Sequence, residues 1–148
     1  MTRRLAIRDA VVAALNAGRP ADVPEASTRR FVPGNPLDCA RLAVFMAEEP
    51  VEGVGGPRGP IVRRQLSMAV QALAVSEEPD DLDDLVEPML AWAVRALAAA
   101  TFGGLAHEVV EQRTTWETAR VGDRYAVAAT LYLAVPYQSA RADLTRAH

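Results

Sequence analysis

The chain has 148 residues, half of them hydrophobic and 24% charged, which fits one globular domain with a single real core and excludes a disordered or fibrous protein. Its net charge is −3 and its pI about 5.4, a balance that argues against a nucleic-acid binder, although all 16 basic residues are arginine and can make bidentate contacts to carboxylates. The lone Cys39 excludes an internal disulfide framework and reads as a small buried hydrophobe rather than a nucleophile.

The N-terminus, MTRRLAIRDAVVAALNAG, imitates a signal peptide, but Asp9 interrupts it and the uncharged run that follows is short. It reads instead as a helix of about four turns. Leu5, Ile7, Val11, Ala14 and Leu15 lie roughly at helical spacing, Thr2 can cap the start, and Gly18 with Pro20 supplies the stop. Arg19 to Asp38 is polar and proline-bearing, so it is expected to be irregular around a short strand near Phe31. Cys39 to Glu49 reads as a strand. The next stretch, PVEGVGGPRGP from Pro50 to Pro60, holds four glycines and three prolines and is expected to be an extended, mobile hairpin loop.

Ile61 to Val75 alternates. Val62, Leu66, Met68 and Val70 point one way, and Arg63, Gln65, Ser67 and Gln71 the other, so this strand has one wet or interfacial face. Arg64 breaks the apolar face near the loop. Ser76 to Ala100 is a second helix, with Leu82, Leu85, Val86, Met89, Leu90, Ala93 and Leu97 at helical spacing. Seven acidic residues crowd its start between Glu77 and Glu87, where the helix dipole favours negative charge. Pro88 predicts a kink, or a helix proper that begins there. Two strands close the chain, His107 to Ala119 and Arg124 to Tyr137, joined by the turn RVGD with Gly122 free to adopt φ > 0. The tail 138–148 is expected to be flexible. No stretch approaches the roughly 20 apolar residues of a membrane span, and the chain reads as a soluble protein.

The elements run α-β-β-(β)-α-β-β. This is a single α+β domain over residues 1–148, with an antiparallel or mixed sheet, two main helices on one face and a long hairpin loop. The last strand raises a question, because Tyr125 to Pro136 carries no charge and both of its faces demand cover.

Chemistry is sparse. His107 and the terminal His148 are the only histidines, too few to build with one cysteine a His/Cys metal site. A triad on His107 has no indicated partner, and an edge or surface position is the better reading. Gly53 to Gly56 resembles a fragment of a phosphate loop, but neither Lys-Ser/Thr nor a helix follows. The acidic run lacks the register and central glycine of a calcium loop. Trp92 reads as core, and Trp116, among polar neighbours, as core or interface. Arg29–Arg30 and Arg63–Arg64 read as solvated pairs or ion pairs to a neighbouring subunit. No catalytic, cofactor or metal site is expected, and the chain reads as an assembly protein rather than an enzyme.

In this layout the chain resembles the tail terminator proteins of long-tailed bacteriophages, the lambda type among them. The likeness lies in the order of an RLAIRDAVVAAL helix, an RLAVFMAEE strand running into a loop, the long IVRRQLSMAVQALAV strand, the acidic, proline-bearing EEPDDLDDLVEPMLAWAVRAL helix, and a closing hairpin ending in ATLYLAVPY. It spans about Arg3 to Tyr137. The resemblance implies a structural virion protein without catalytic residues or cofactors. Such a protein forms a hexameric ring on the last ring of the tail tube, stops tube polymerisation and offers a surface to the head connector. Its partners would be other copies of itself, the major tail tube protein and a head-completion protein. The genome would pass through the lumen without sequence-specific contact, and there would be no membrane. Its place would be the head–tail interface of the virion, after assembly in the host bacterial cytoplasm.

A closed ring repeats one heterologous interface. Val127, Ala129, Leu131, Leu133 and Val135 would then line the core, and Ala126, Ala128, Thr130, Tyr132 and Ala134 would face a neighbour or, alternatively, a second layer of the same chain. Candidate partner-binding residues are Glu52, Gly53, Val54, Gly55, Gly56 and Arg58 of the loop, Arg63 and Gln65 of the following strand, Trp116 and Tyr132. The departures in the loop 50–60 and in the connection 19–38 leave a neighbouring neck protein open. A small α+β enzyme or ligand-binding domain, with a pocket between helices and sheet, is the remaining alternative.

Overall fold

The computed structural model describes residues 2–28, 40–48, 51–53, 61–100 and 109–140. Helix α1 spans Arg3–Asn16. Thr2 caps it as expected, its Oγ1 accepting from the Leu5 amide at 3.3 Å. The chain leaves the helix at Ala17 and turns at Gly18, whose φ of 69° needs the freedom of glycine. Strand β1 is two residues, Ala26–Ser27, parallel to β2, Arg41–Glu48. β1 is tied to α1 by Asn16, which accepts from the Ala26 amide at 2.7 Å and donates to the Ala26 carbonyl at 3.1 Å. The short strand near Phe31 falls outside the described residues, as do Cys39 and His107.

Strands β3 (Val51–Gly53) and β4 (Ile61–Ser76) follow. β3 pairs with the first residues of β4, and β2 with its later ones. The start of the glycine- and proline-rich stretch is therefore sheet rather than loop. Its first three residues beyond Pro50 carry one glycine and no proline, so nothing there prevents pairing. Residues 54–60 lie outside the described set.

A 3-10 turn at Pro79–Asp81 leads into α2, Leu82–Ala99. The helix begins before Pro88 and runs through it. Pro88 is exposed, so the backbone carbonyl it leaves without a helical partner is on the side water can reach. Strands β5 (Val110–Val121) and β6 (Arg124–Ala140) form the closing hairpin, with Gly122 in its turn at φ 66°. β6 runs beyond Gln138, against the expectation of a frayed tail there, because Ser139 and Ala140 pair with Val62 and Ile61.

The sheet is ordered β1-β2-β4-β6-β5, with β3 beside β4. Apart from the parallel β1–β2 pair, every pairing is antiparallel. Both helices lie on one face. Ile7, Val11 and Leu15 of α1 and Leu82, Val86, Met89, Leu90, Ala93 and Leu97 of α2 join Leu66, Met68 and Val70 of β4 and Val127, Leu131, Leu133 and Val135 of β6 in one core. The two helices are also linked by Trp92, whose indole donates to the Leu15 carbonyl at 2.8 Å. This is the α+β fold that the alternating strands and amphipathic helices imply.

Candidate functional site

The charge-free stretch of β6, Tyr125 to Pro136, is largely buried on both faces inside the single chain. Its odd-numbered residues from Val127 to Tyr137 are buried under the helices. Its even-numbered residues Ala126, Ala128, Thr130 and Ala134 are buried as well, although no described helix packs on that side. The register explains this in part. Small side chains on the far face sit between larger ones: Ala69 of β4 stands opposite both Phe45 and Tyr132, and Ala128 opposite Leu73. Leu73, Ala128 and Val75 form a small apolar cluster of their own. An adjacent subunit is not needed to keep water from these alanines.

Tyr132 is half-buried on the same face, and the Arg113 guanidinium lies 4.5 Å from its ring centroid. A β-bulge between Glu111 and Arg113 puts Gln112 and Arg113 beside it. Together with Ser67 and Ala47 they line an open depression of about 380 Å³. It is polar, and it holds no nucleophile paired with a base.

Among the described residues, the β5 flank has no helix packed over it. Neighbouring strands lie about 4.8 Å apart and packed helices about 8–10 Å apart, so two helices shield roughly four strands. This sheet is five strands across. α1 packs over β1 and β2, and α2 over β4 and β6, so no described helix is centred over β5. Thr114, Trp116 and Thr118 share the helix-side face, since they oppose Leu131, Ala129 and Val127. With no described helix above it, Trp116 is 47% exposed.

Between Trp116 and α2 runs a groove of about 530 Å³, lined by Leu90, Ala91 and Val94 with Glu87, Glu111 and Arg95 at its rim. Val94 is 38% exposed; Leu85, nine residues earlier and so on the opposite side of α2, is 46% exposed, and Val110 of β5 44%. Leu85 was expected in the core with the other apolar residues of α2. The buried set Leu82, Val86, Met89, Ala93 and Leu97 fills the face toward the sheet and leaves Leu85 outside it.

The predicted partner residues divide between these places. Gln65 and Tyr132 lie on the far face, and Trp116 on the other. Glu52 and Gly53 are in β3, paired with Arg63 and Val62 of β4. Val54, Gly55, Gly56 and Arg58 lie outside the described residues. The fold therefore does not gather the set into one site. The α2 side of the groove was missed, although Val94, an apolar residue off the helix's buried face, was its signal. Among the described residues no group of His, Cys, Asp or Glu is placed to hold a metal ion, and no helix is long and apolar enough to cross a membrane.

No protein-family model matches the sequence, and no curated protein matches it either. Among solved structures, the chain is similar to one in "Virion of native gene transfer agent (GTA) particle", with a TM-score of 0.48 and 15% identity over 91% of this chain and 95% of that one.

Proposed function

We propose that this protein is a structural component of a phage-type virion. It forms a ring at the head-proximal end of the tail tube, ends tube polymerisation and presents a joining surface to the head. One observation carries the reading: the sheet has two unlike edges. One carries β1 and the Asn16 side chain of α1, and the other is the twelve-residue β5, over which no described helix packs, beside an apolar groove. A heterologous interface needs two different patches on each copy, and its repetition by rotation makes a ring. The order of elements that the chain shares with tail terminators supports the same reading.

The test is deletion of the gene from a phage genome that carries it. Tails of uncontrolled length, or full-length tails that fail to join heads, are expected, with rescue by the gene in trans. Normal virions from the deletion would overturn the reading. Aberrant joining with normal tail length would move the protein to a neighbouring neck position.

A further inference from the structure

We infer that free copies of this chain pair through β5, edge to edge and antiparallel, about a two-fold axis at Thr115. The pair goes beyond the ring reading above and stands on the properties of β5 alone.

The backbone of β5 is open to a second strand. Among the described residues β5 pairs with β6 only, and its other hydrogen bond runs from the Arg120 side chain to the Gly122 carbonyl. The hairpin sets which groups point outward. Val121 and Arg124 flank a two-residue turn and so exchange both of their hydrogen bonds. Alternation along the ladder then turns Thr115, Glu117 and Ala119 toward β6, and leaves the N–H and C=O groups of Thr114, Trp116 and Thr118 facing away. Such a row is a template for another strand.

The side chains of β5 complement those of β5 reversed. A two-fold axis at right angles to the sheet keeps each face continuous. With the axis at Thr115, Arg113 stands directly opposite the other copy's Glu117, and the reciprocal pair repeats the contact. On the helix-side face Trp116 stands opposite the other copy's Thr114, and the two tryptophans become diagonal neighbours within reach of each other. Neighbouring registers are poorer. Centred on Trp116, the two Glu117 carboxylates are diagonal neighbours, and centred on Glu117 they stand directly opposite, where like charges repel. Centred on Thr114, Trp116 falls against the bulge between Glu111 and Arg113. Both charged groups are available for the contact. Arg113 is exposed and stacks on Tyr132 by its face, which leaves its N–H edges for a carboxylate. Glu117 is exposed and is in no ion pair among the described residues.

The acidic flanks of α2 do not oppose the pairing. α2 lies over β4 and β6, so at about 4.8 Å per strand the two α2 helices would stand about 19 Å apart across the seam. That is well beyond the Debye length of about 8 Å in physiological salt. The two grooves merge into one trough floored by both tryptophans. A copy held in the pair cannot offer β5 to a ring neighbour, so the pair must open before a ring closes.

The experiment uses the full-length chain in a Cys39→Ser background. Opposed residues that exchange no hydrogen bonds have Cα atoms about 4.5 Å apart, within disulfide range, and Thr115 would meet its own copy in this way. Thr115→Cys should therefore form a disulfide-linked dimer under mild oxidation, and Glu117→Cys should not. Sedimentation velocity over a concentration series should show monomer passing to dimer. Trp116→Glu should weaken the dimer roughly thirty-fold. Arg113→Glu or Glu117→Arg alone should weaken it roughly ten-fold, and the double reversal should restore it. Melts of dilute samples verify that each variant is folded. The inference falls if the chain stays monomeric throughout, or if oxidation links Glu117→Cys copies and not Thr115→Cys copies. Rings that form with no dimer stage would remove this contact and leave the ring reading standing. A dimer found where gene deletion leaves virions normal would keep the contact and remove the tail role.

Discussion

The two faces of β6 are both dry, but they are made dry differently. Toward the helices the strand offers Val127, Leu131, Leu133, Val135 and Tyr137, large side chains that interlock with α1 and α2. Away from them it offers Ala126, Ala128, Thr130 and Ala134, side chains small enough to sink beneath their neighbours. One face is buried by a layer and the other largely by the stature of flanking residues such as Phe45, Leu73 and Tyr132. An uncharged strand in a small domain therefore does not by itself announce an interface, because alanine achieves burial without a partner layer. Among the described residues, the helix-side surface without a helix above it is one strand further out, on β5, where the sequence is polar and contains a single tryptophan.

The largest effect that separates the two faces should come from Leu131→Asp. Leu131 is in the helix-side core, opposite Val70 and Thr114. A carboxylate there has no cation within the core to meet it. Its burial costs several kcal/mol, against a whole-domain stability of about 5–15 kcal/mol. The variant should be largely unfolded by circular dichroism at room temperature. A cooperative melt close to wild type would mean that this side of β6 is not the core.

Enlarging alanines on each face gives the next contrast. Ala129 is fully buried under the helices, and Ala129→Leu should cost about 1–3 kcal/mol through overpacking. Ala69 is just as buried, but on the far face, between Phe45 and Tyr132, which are only half-buried and can swing outward. Ala69→Leu should cost about 1 kcal/mol or less. Urea melts decide between them, and equal costs would imply a far face as rigidly packed as the near one.

Tyr132→Asp should be milder than Leu131→Asp, though the residues are adjacent. The substitution removes a half-buried ring and its cation–π contact with Arg113, then places a carboxylate within reach of the same guanidinium. A loss of about 1 kcal/mol is expected from the ring contact and the exposed part of its packing. If Tyr132→Asp unfolds the domain as Leu131→Asp does, the far face is a true second core.

The fold was legible because its signals are local and periodic. The Thr2 cap, the Gly18 stop and the Gly122 turn survive with little displacement, as does the alternation in β4, although its expected wet face is mostly dry, with Ser67, Ala69 and Leu73 buried. Two features were not legible for physical reasons. β1 is a two-residue strand whose place is fixed by Asn16 from ten residues away, and no local pattern encodes such a contact. The exposed groove depends on the strand order, β6 before β5 at the edge, and on how far two helices reach across five strands. Trp116 is ambiguous in sequence for that reason: its neighbours show that it is on a strand, while its exposure is decided by where α2 ends. Glu52 and Gly53 misled in the opposite way, since a run rich in glycine and proline further on made the whole segment look like loop, although these two residues pair with β4.

The smallest effect on the folded monomer should come from Trp116→Glu, and its smallness is informative. Trp116 is a large residue, and in a core its loss would cost several kcal/mol. Here nearly half of it meets solvent, it stands on an edge strand, and no described helix covers it. At protein concentrations too low for self-association, the variant should melt within about 0.5 kcal/mol of wild type. Raising the concentration should then separate the two. Association stabilises only the folded form, so wild-type melting should climb with concentration by mass action while the variant's stays flat. A variant that melts early even when dilute would mean that the groove is held closed by contacts within the chain. A wild type whose melting ignores concentration would mean that the bare flank of β5 is not where copies meet.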